Sequence, residues 1–85
     1  MGDKKEVAWE NAHEIRGKNS ELYRKDDYGN VIYKPSYGKQ SDMGWKIDHK
    51  HPKSKGGTDN SRNLQAVQWE ENRKKLDTYP YKKRH

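Results

Sequence analysis

The stretch GWKIDHKHPKSKGGTDNSRNLQAVQWEENRKK, residues 44–75, decides the fold of this chain. At its start Trp45 and Ile47 alternate with polar neighbours, which is the period of a strand that buries one face. The alternation places Asp48 on the outward face. His49 then points the other way or lies where the strand ends. We therefore predict a strand that carries an acid and an imidazole side by side.

The rest of this stretch predicts a loop, a second strand and a helix. A proline, two glycines and several turn-forming residues lie within 50–62, and a loop that long in a small domain is usually functional. Residues 64–68 are predicted to form a strand antiparallel to the first, and residues 69–76 a helix. Acidic residues near the start of this helix and basic residues near its end suit the helix dipole.

Composition limits the chain to one small domain, residues 1–85, of the α+β class. Only 27% of the residues are hydrophobic, and 38% are charged. A chain of this size buries about 60–65% of its unfolded surface, so the core must be thin. Three Trp and six Tyr supply much of the area that can be buried. With no Cys, neither a disulfide nor a cysteine-based zinc site can stabilise the fold.

The net charge of +6 is concentrated around and after the central stretch. Residues 34–58 carry six Lys against two Asp, and residues 73–85 carry six Lys or Arg against one Asp. Such a patch favours a nucleic-acid partner over the simpler alternative, a solvated basic surface. No apolar run reaches the length of a signal peptide or a membrane span, so we expect a soluble cytoplasmic protein without a membrane partner.

Outside the central stretch the pattern predicts less structure. A helix is expected over about residues 4–16, with Asp3 as its N-cap and Gly17 as its stop. Residues 17–30 look like loop and turn, and residues 31–33 like a short or edge strand. The basic tail, residues 77–85, is expected to be extended or disordered.

Residues 44–75 resemble the HNH endonuclease family, and the ββα-metal motif is expected over residues 44–76. The similarity rests on Asp48-His49, Pro52, Gly56-Gly57, Asn63-Leu64 and Asn72-Arg73-Lys74-Lys75, in that order and at family-like spacings. The family folds as two antiparallel strands and a helix around one divalent metal, the ββα-metal finger. Many members also carry two Cys pairs that bind a structural zinc, and this chain has none. The resemblance therefore implies a ββα-metal finger with an added N-terminal helix.

The resemblance also implies a role for each motif residue. His49 would be the general base and Asp48 a metal ligand. Asn63 would hold the loop and help to position the base, and for that reason we count it as catalytic. The third motif position, often His, is here Asn72, which matches the variant of the family that ends in Asn. Asn72 would be the second metal ligand.

The chemistry of these side chains supports the same roles independently. His accepts a proton near neutral pH better than any other side chain. Asp48 and Asn72 offer only oxygen ligands, which suits one Mg²⁺ or Mn²⁺ ion better than zinc. His51 is a possible accessory residue for the metal or a phosphate. The residues predicted to contact nucleic acid are Lys50, Lys53, Lys55, Arg62, Arg73 and Lys74.

Together these features predict a metal-dependent nuclease that acts on DNA, duplex DNA in the first place. One motif supplies one base and one metal, so we expect nicking by a monomer, since no heptad seam indicates a dimer. By resemblance, the ends would be 5′-phosphate and 3′-hydroxyl. The alternative is a non-catalytic nucleic-acid-binding module that retains the HNH scaffold. A small protein-interaction domain would explain the charge but not the motif.

Overall fold

The computed structural model describes residues 3–75, which form two helices and five short strands. The helices are α1 (Lys4–Glu10) and α2 (Trp69–Lys75). The strands are β1 (His13–Glu14), β2 (Tyr23–Lys25), β3 (Val31–Tyr33), β4 (Trp45–His49) and β5 (Leu64–Gln68). Strands β1, β2 and β3 form one antiparallel sheet, and β4 and β5 form another. The predicted α+β class is confirmed.

The strand–loop–strand–helix order of the central stretch agrees with the prediction. Strands β4 and β5 are antiparallel, with Trp45 opposite Gln68 and His49 opposite Leu64. Helix α2 follows β5 directly and packs on both strands. The predicted helix extended to Leu76, which lies outside the described residues. All five residues of β5 are buried because α1 packs on this strand as well.

The N-terminal half contains more strand than the sequence predicted. Residues 17–30 were expected to be loop and turn, but β2 lies within them and pairs with β1 on one side and β3 on the other. The expectation of a short edge strand at residues 31–33 is confirmed, since β3 lies at one edge of this sheet. Short strands without strong alternation acquire their structure from partners that lie far along the chain.

Helix α1 begins as predicted and ends earlier than predicted. The Asp3 carboxylate accepts a hydrogen bond of 2.8 Å from the backbone N–H of Glu6, which is the expected N-cap bond. The prediction of a helix over residues 4–16 with Gly17 as its stop is wrong. The chain leaves the helix at Asn11, and Gly17 lies instead in a turn with a positive φ of 81°.

Two side chains explain this early end of α1. Asn11 donates from Nδ2 to the carbonyl of Leu64 at 2.9 Å, which ties the end of the helix to the start of β5. The buried Arg24 donates at 3.2 Å to the carbonyls of Glu10 and Ala12. Carbonyls at a helix end lack partners within the helix, so these long-range donors stabilise the termination. Local sequence does not reveal such donors.

The core is built around two tryptophans. Trp9 of α1 and Trp45 of β4 are fully buried, and their ring centroids lie 5.3 Å apart. Each indole N–H donates to a carbonyl. Trp9 donates to the carbonyl of Ser20 at 2.9 Å, and Trp45 donates to that of Tyr33 at 3.0 Å. The other members of the core cluster are small or aliphatic: Ala8, Ala12, Ile32, Leu64 and Ala66. Aromatic packing thus supplies the core of a chain that has few hydrophobic residues.

Neither α1 nor α2, the helices of residues 3–75, is long and apolar enough to cross a membrane. The predicted tail, residues 77–85, lies outside the described part of the chain.

Candidate active site

The loop between β4 and β5 is held by the side chain of Asn63. Its Nδ2 donates to the carbonyls of His51 at 3.0 Å and Thr58 at 2.7 Å, and its Oδ1 accepts from the backbone N–H of His51 at 2.7 Å. The backbone N–H of Lys50 adds a bond of 2.8 Å to the Asn63 carbonyl. Asn63 therefore joins both ends of the loop, as its expected structural role requires. Its part in catalysis stays a prediction.

Both glycines of this loop occupy positions where any other residue would strain the backbone. Gly56 ends a short 3-10 turn with a φ of +94°, a conformation that glycine adopts without steric cost. Gly57 lies so close to the backbone that a Cβ there would collide with the carbonyl oxygens of His51 and Pro52. The Gly-Gly pair therefore lets the loop fold back tightly onto the end of β4.

His49, the last residue of β4, meets a carboxylate from this loop. Its Nε2 lies 2.8 Å from Oδ1 of Asp59, and 24% of its side chain is exposed. The other oxygen of Asp59 lies 3.0 Å from Nζ of Lys53 and 3.2 Å from Nζ of Lys4. The hydrogen bond with His49, then those with Lys53 and Lys4, hold the pKa of Asp59 well below its usual range. Asp59 is therefore ionised and acts only as an acceptor.

Sequence analysis did not single out Asp59, although it is the direct partner of the predicted base. Within GGTDN an aspartate is typical turn chemistry, so the local pattern hides any second role. Asp59 lies ten positions after His49, in a loop that returns to the same strand end. A carboxylate in a returning loop was therefore the signal that could have indicated a partner for His49.

Asp48 points toward helix α2 and carries an ion pair there. Nζ of Lys75 lies 2.9 Å from Asp48 Oδ2 and donates to the carbonyl of His49 at 3.2 Å. Gln65, the cross-strand neighbour of Asp48, donates to the same oxygen at 3.1 Å. Asp48 was predicted on the outward face of the strand, and at this position α2 packs over that face and leaves 13% of the side chain exposed. Lys75 itself is 1% exposed.

The oxygen atoms around Asp48 fit a hard divalent cation by their chemistry. Within residues 3–75 no hydrogen bond reaches Asp48 Oδ1, and Gln65 Oε1 is buried without a partner. Carboxylate and amide oxygens are ligands that Mg²⁺ and Mn²⁺ accept. Asn72, the second predicted ligand, lies on α2 and lines a shallow depression with Lys46 and Trp69. Residues 3–75 contain no group of three His, Asp or Glu side chains that could hold a metal ion. A cation would therefore have few protein ligands and would share Asp48 with Lys75.

Tyr28, from the turn between β2 and β3, reaches the same cluster. Burial raises the pKa of its phenol, a hydrogen bond with Gln65 opposes that rise, and the nearby charge of Asp48 adds to it. The phenol is thus protonated at neutral pH and lies beside Gln65 and Asp48. The local pattern Tyr28-Gly29-Asn30 indicates only a turn, so it does not single out Tyr28 as part of this cluster.

The basic residues predicted to contact nucleic acid are all exposed: Lys50, Lys53, Lys55, Arg62, Arg73 and Lys74. Lys53 forms an ion pair with Asp59, and Nζ of Lys50 lies 3.8 Å from a carboxylate oxygen of Asp27. The ring of His51 is engaged within the loop, where Nε2 lies 2.7 Å from the carbonyl of Lys55. An accessory role for His51 stays a prediction.

No protein-family model, curated protein or solved structure matches this chain. The resemblance to the HNH family therefore rests on the motif residues and on their place in the strand–loop–strand–helix segment.

Proposed function

We propose that this chain is a metal-dependent HNH endonuclease that hydrolyses phosphodiester bonds in DNA. The observation that supports this most is the pair of His49 and Asp59 at the end of a hairpin whose loop is held by Asn63. Exposed lysines and arginines surround this loop and suit a phosphate backbone. A general base beside a cationic surface suits phosphodiester hydrolysis, since the base can activate water while the cations bind phosphate.

In the proposed reaction His49 accepts the proton of the attacking water. Asp59 is ionised and can only accept a hydrogen bond, so Nε2 of a neutral His49 must carry the ring proton. The lone pair then lies on Nδ1, and this nitrogen is the proton acceptor. Asp59 orients the ring and stabilises the imidazolium that forms. Lys53 and Lys4 in turn hold Asp59 in its ionised form.

The proposed metal is one Mg²⁺ or Mn²⁺ ion held by Asp48 and Asn72, with Gln65 Oε1 as an additional oxygen at hand. When bound, the ion supplies positive charge that stabilises the pentacoordinate phosphorus and the leaving oxygen. Gln65 and Lys75 fix the position of the Asp48 carboxylate.

The proposed substrate is duplex DNA, cut on one strand per encounter to leave a 5′-phosphate and a 3′-hydroxyl. The basic residues would bind phosphates, so the affinity should fall steeply with salt through counterion release. The chain would act as a monomer, because one motif supplies one base.

The test is incubation of supercoiled plasmid with purified protein and a panel of divalent ions. We expect cleavage with Mg²⁺ or Mn²⁺ and none in EDTA. His49→Ala should lower the rate by about 10²–10⁴-fold, the usual contribution of a general base. Its affinity for DNA should barely change.

His13→Ala is a matched control. His13 makes the same kind of contact, with Nε2 lying 2.7 Å from Oδ1 of Asp27, but 63% of its side chain is exposed and it lies outside the motif. Equal losses in His13→Ala and His49→Ala would contradict the assignment of the base. Salt-dependent binding with no cleavage under any ion would favour the alternative, a non-catalytic nucleic-acid-binding module.

A further inference from the structure

Helix α2 begins with Trp69, a tryptophan outside the core cluster whose indole Nε1 is buried. Trp9 and Trp45 are 0% exposed, whereas Trp69 is only half-buried. Trp69 borders two neighbouring surface depressions, of about 390 and 240 Å³. Arg73 lines both depressions and lies four residues on, which places it next to Trp69 on the helix surface.

The charge around this tryptophan is mainly positive. Lys46 borders the smaller depression and Lys74 the larger one, and both side chains are exposed, as is that of Arg73. Glu70 is an anion at the larger depression. A bound phosphate would therefore lie on the side of Lys46 and Arg73, away from Glu70. An aromatic ring between cations is the combination that binds single-stranded nucleic acid, since bases stack on the ring while cations contact phosphates.

We propose that Trp69, with Lys46, Arg73 and Lys74, forms a subsite for an unpaired nucleotide of a single-stranded DNA segment. Asn72 lines the same smaller depression, so the subsite adjoins the proposed metal ligand. A strand that passes the candidate active site would place one base on Trp69 and its phosphate against Lys46 and Arg73. This inference deepens the proposed function by naming a structural feature of the substrate, and the binding it describes does not require cleavage.

The test measures binding without chemistry. Full-length His49→Ala protein in EDTA is titrated with fluorescein-labelled oligo-dT of about 12 nucleotides, long enough to span a single-strand site. A duplex of equal length is titrated in parallel. Replacement of Trp69 by Leu should raise the Kd for oligo-dT by about 5- to 150-fold, the range that corresponds to stacking of one base. The Kd for the duplex should change much less. Trp69→Phe keeps a ring and should recover most of the affinity.

A control variant and an intrinsic signal make the result specific. Tyr37→Leu removes another exposed aromatic ring, one that Lys5 contacts at 5.4 Å from its centroid, and it should leave the Kd for oligo-dT unchanged. In the protein with all three tryptophans, unlabelled oligo-dT should quench part of the tryptophan emission. Trp69→Phe should abolish that quenching, because the two remaining indoles are buried.

Charge is tested separately. Lys46→Gln should reduce the slope of log K against log salt by about 0.7 for oligo-dT, the value expected for one lost contact to a single strand. Equal weakening of oligo-dT and duplex by Trp69→Leu would overturn the proposal, as would emission that oligo-dT leaves unchanged. Neither result would bear on cleavage, so the subsite and the nuclease proposal can fail independently.

Discussion

Removal of the Lys75 ammonium group should destabilise the fold more than removal of any exposed lysine. Lys75 is 1% exposed, and its Nζ lies 2.9 Å from Asp48 and 3.2 Å from the carbonyl of His49. Lys75→Met keeps most of the length of the side chain and deletes the charge. It leaves the Asp48 carboxylate, with 13% of its side chain exposed, without its cation. Breaking a buried ion pair from one side costs about 3–5 kcal/mol.

We expect the lower end of that range, about 3 kcal/mol, because Asp48 keeps its hydrogen bond from Gln65 and some contact with water. A domain of this size should then unfold about 12–24 °C lower, since each kcal/mol shifts Tm by about 4–8 °C. The assay is urea unfolding in EDTA, followed by the emission of the buried tryptophans, so that no metal contributes to the free energy of unfolding.

Two further variants make the comparison specific. Lys74→Met, one residue away and exposed, should change the free energy of unfolding by no more than about 0.5 kcal/mol. Adding Asp48→Asn to Lys75→Met removes the uncompensated charge and should restore part of the loss. About 1–2 kcal/mol should remain, because the His49 carbonyl still lacks its donor. A loss below about 1 kcal/mol in Lys75→Met would refute the reasoning and show a solvated, weak pair.

Three other predictions concern the active site. Asp59→Asn should slow plasmid cleavage by less than the about 10²–10⁴-fold expected for His49→Ala, whereas Asp27→Asn, in the matched pair with His13, should have no effect. Because the folded-state pKa of Asp59 is lowered, its stabilising contribution is present above its unfolded pKa of about 4 and is lost as the pH falls toward the folded value. Below about pH 4 the free energy of unfolding should therefore fall less steeply with pH in Asp59→Asn than in the wild type. Parallel curves of unfolding free energy against pH would contradict the linkage. In a time course with supercoiled plasmid, open-circular DNA should precede linear DNA, and linear product without that precursor would indicate paired sites in a dimer.

The hairpin and its helix were predictable from sequence because their signals are local. Alternation at Trp45 and Ile47, a loop rich in glycine and a helix with ordered charges each lie within a few residues. The end of α1 was not predictable in this way. It depends on Asn11 and Arg24, whose bonds connect residues that lie far apart in the chain.

The same distinction applies to the candidate site. The motif pattern singles out His49, Asp48, Asn63 and Asn72, but it does not contain the partners that set their chemistry. Asp59, Lys75 and Tyr28 reach the site from a loop, a helix end and a remote turn, and each looks ordinary in its own local sequence. Periodicity shows which face of a strand a residue occupies, and it does not show what packs against that face. The cover that α2 provides over Asp48 was not predictable for this reason.

Asp48 is subject to two demands that a single carboxylate must meet. A mostly buried carboxylate with no cation nearby would destabilise a small core, and Lys75 provides that cation within the fold. A metal ligand must instead keep an oxygen for the ion, and Asp48 Oδ1 receives no hydrogen bond from residues 3–75. Lys75 and Gln65 both bond to Oδ2, so the fold uses one carboxylate oxygen and the proposed metal would use the other. The fold therefore supplies its own cation to Asp48, in a chain that has no cysteines to bind a structural zinc. A bound cation would also lie near the Lys75 ammonium group and be repelled by it. The affinity of the proposed site for the metal should therefore be lower than that of a site built on an aspartate without such a partner.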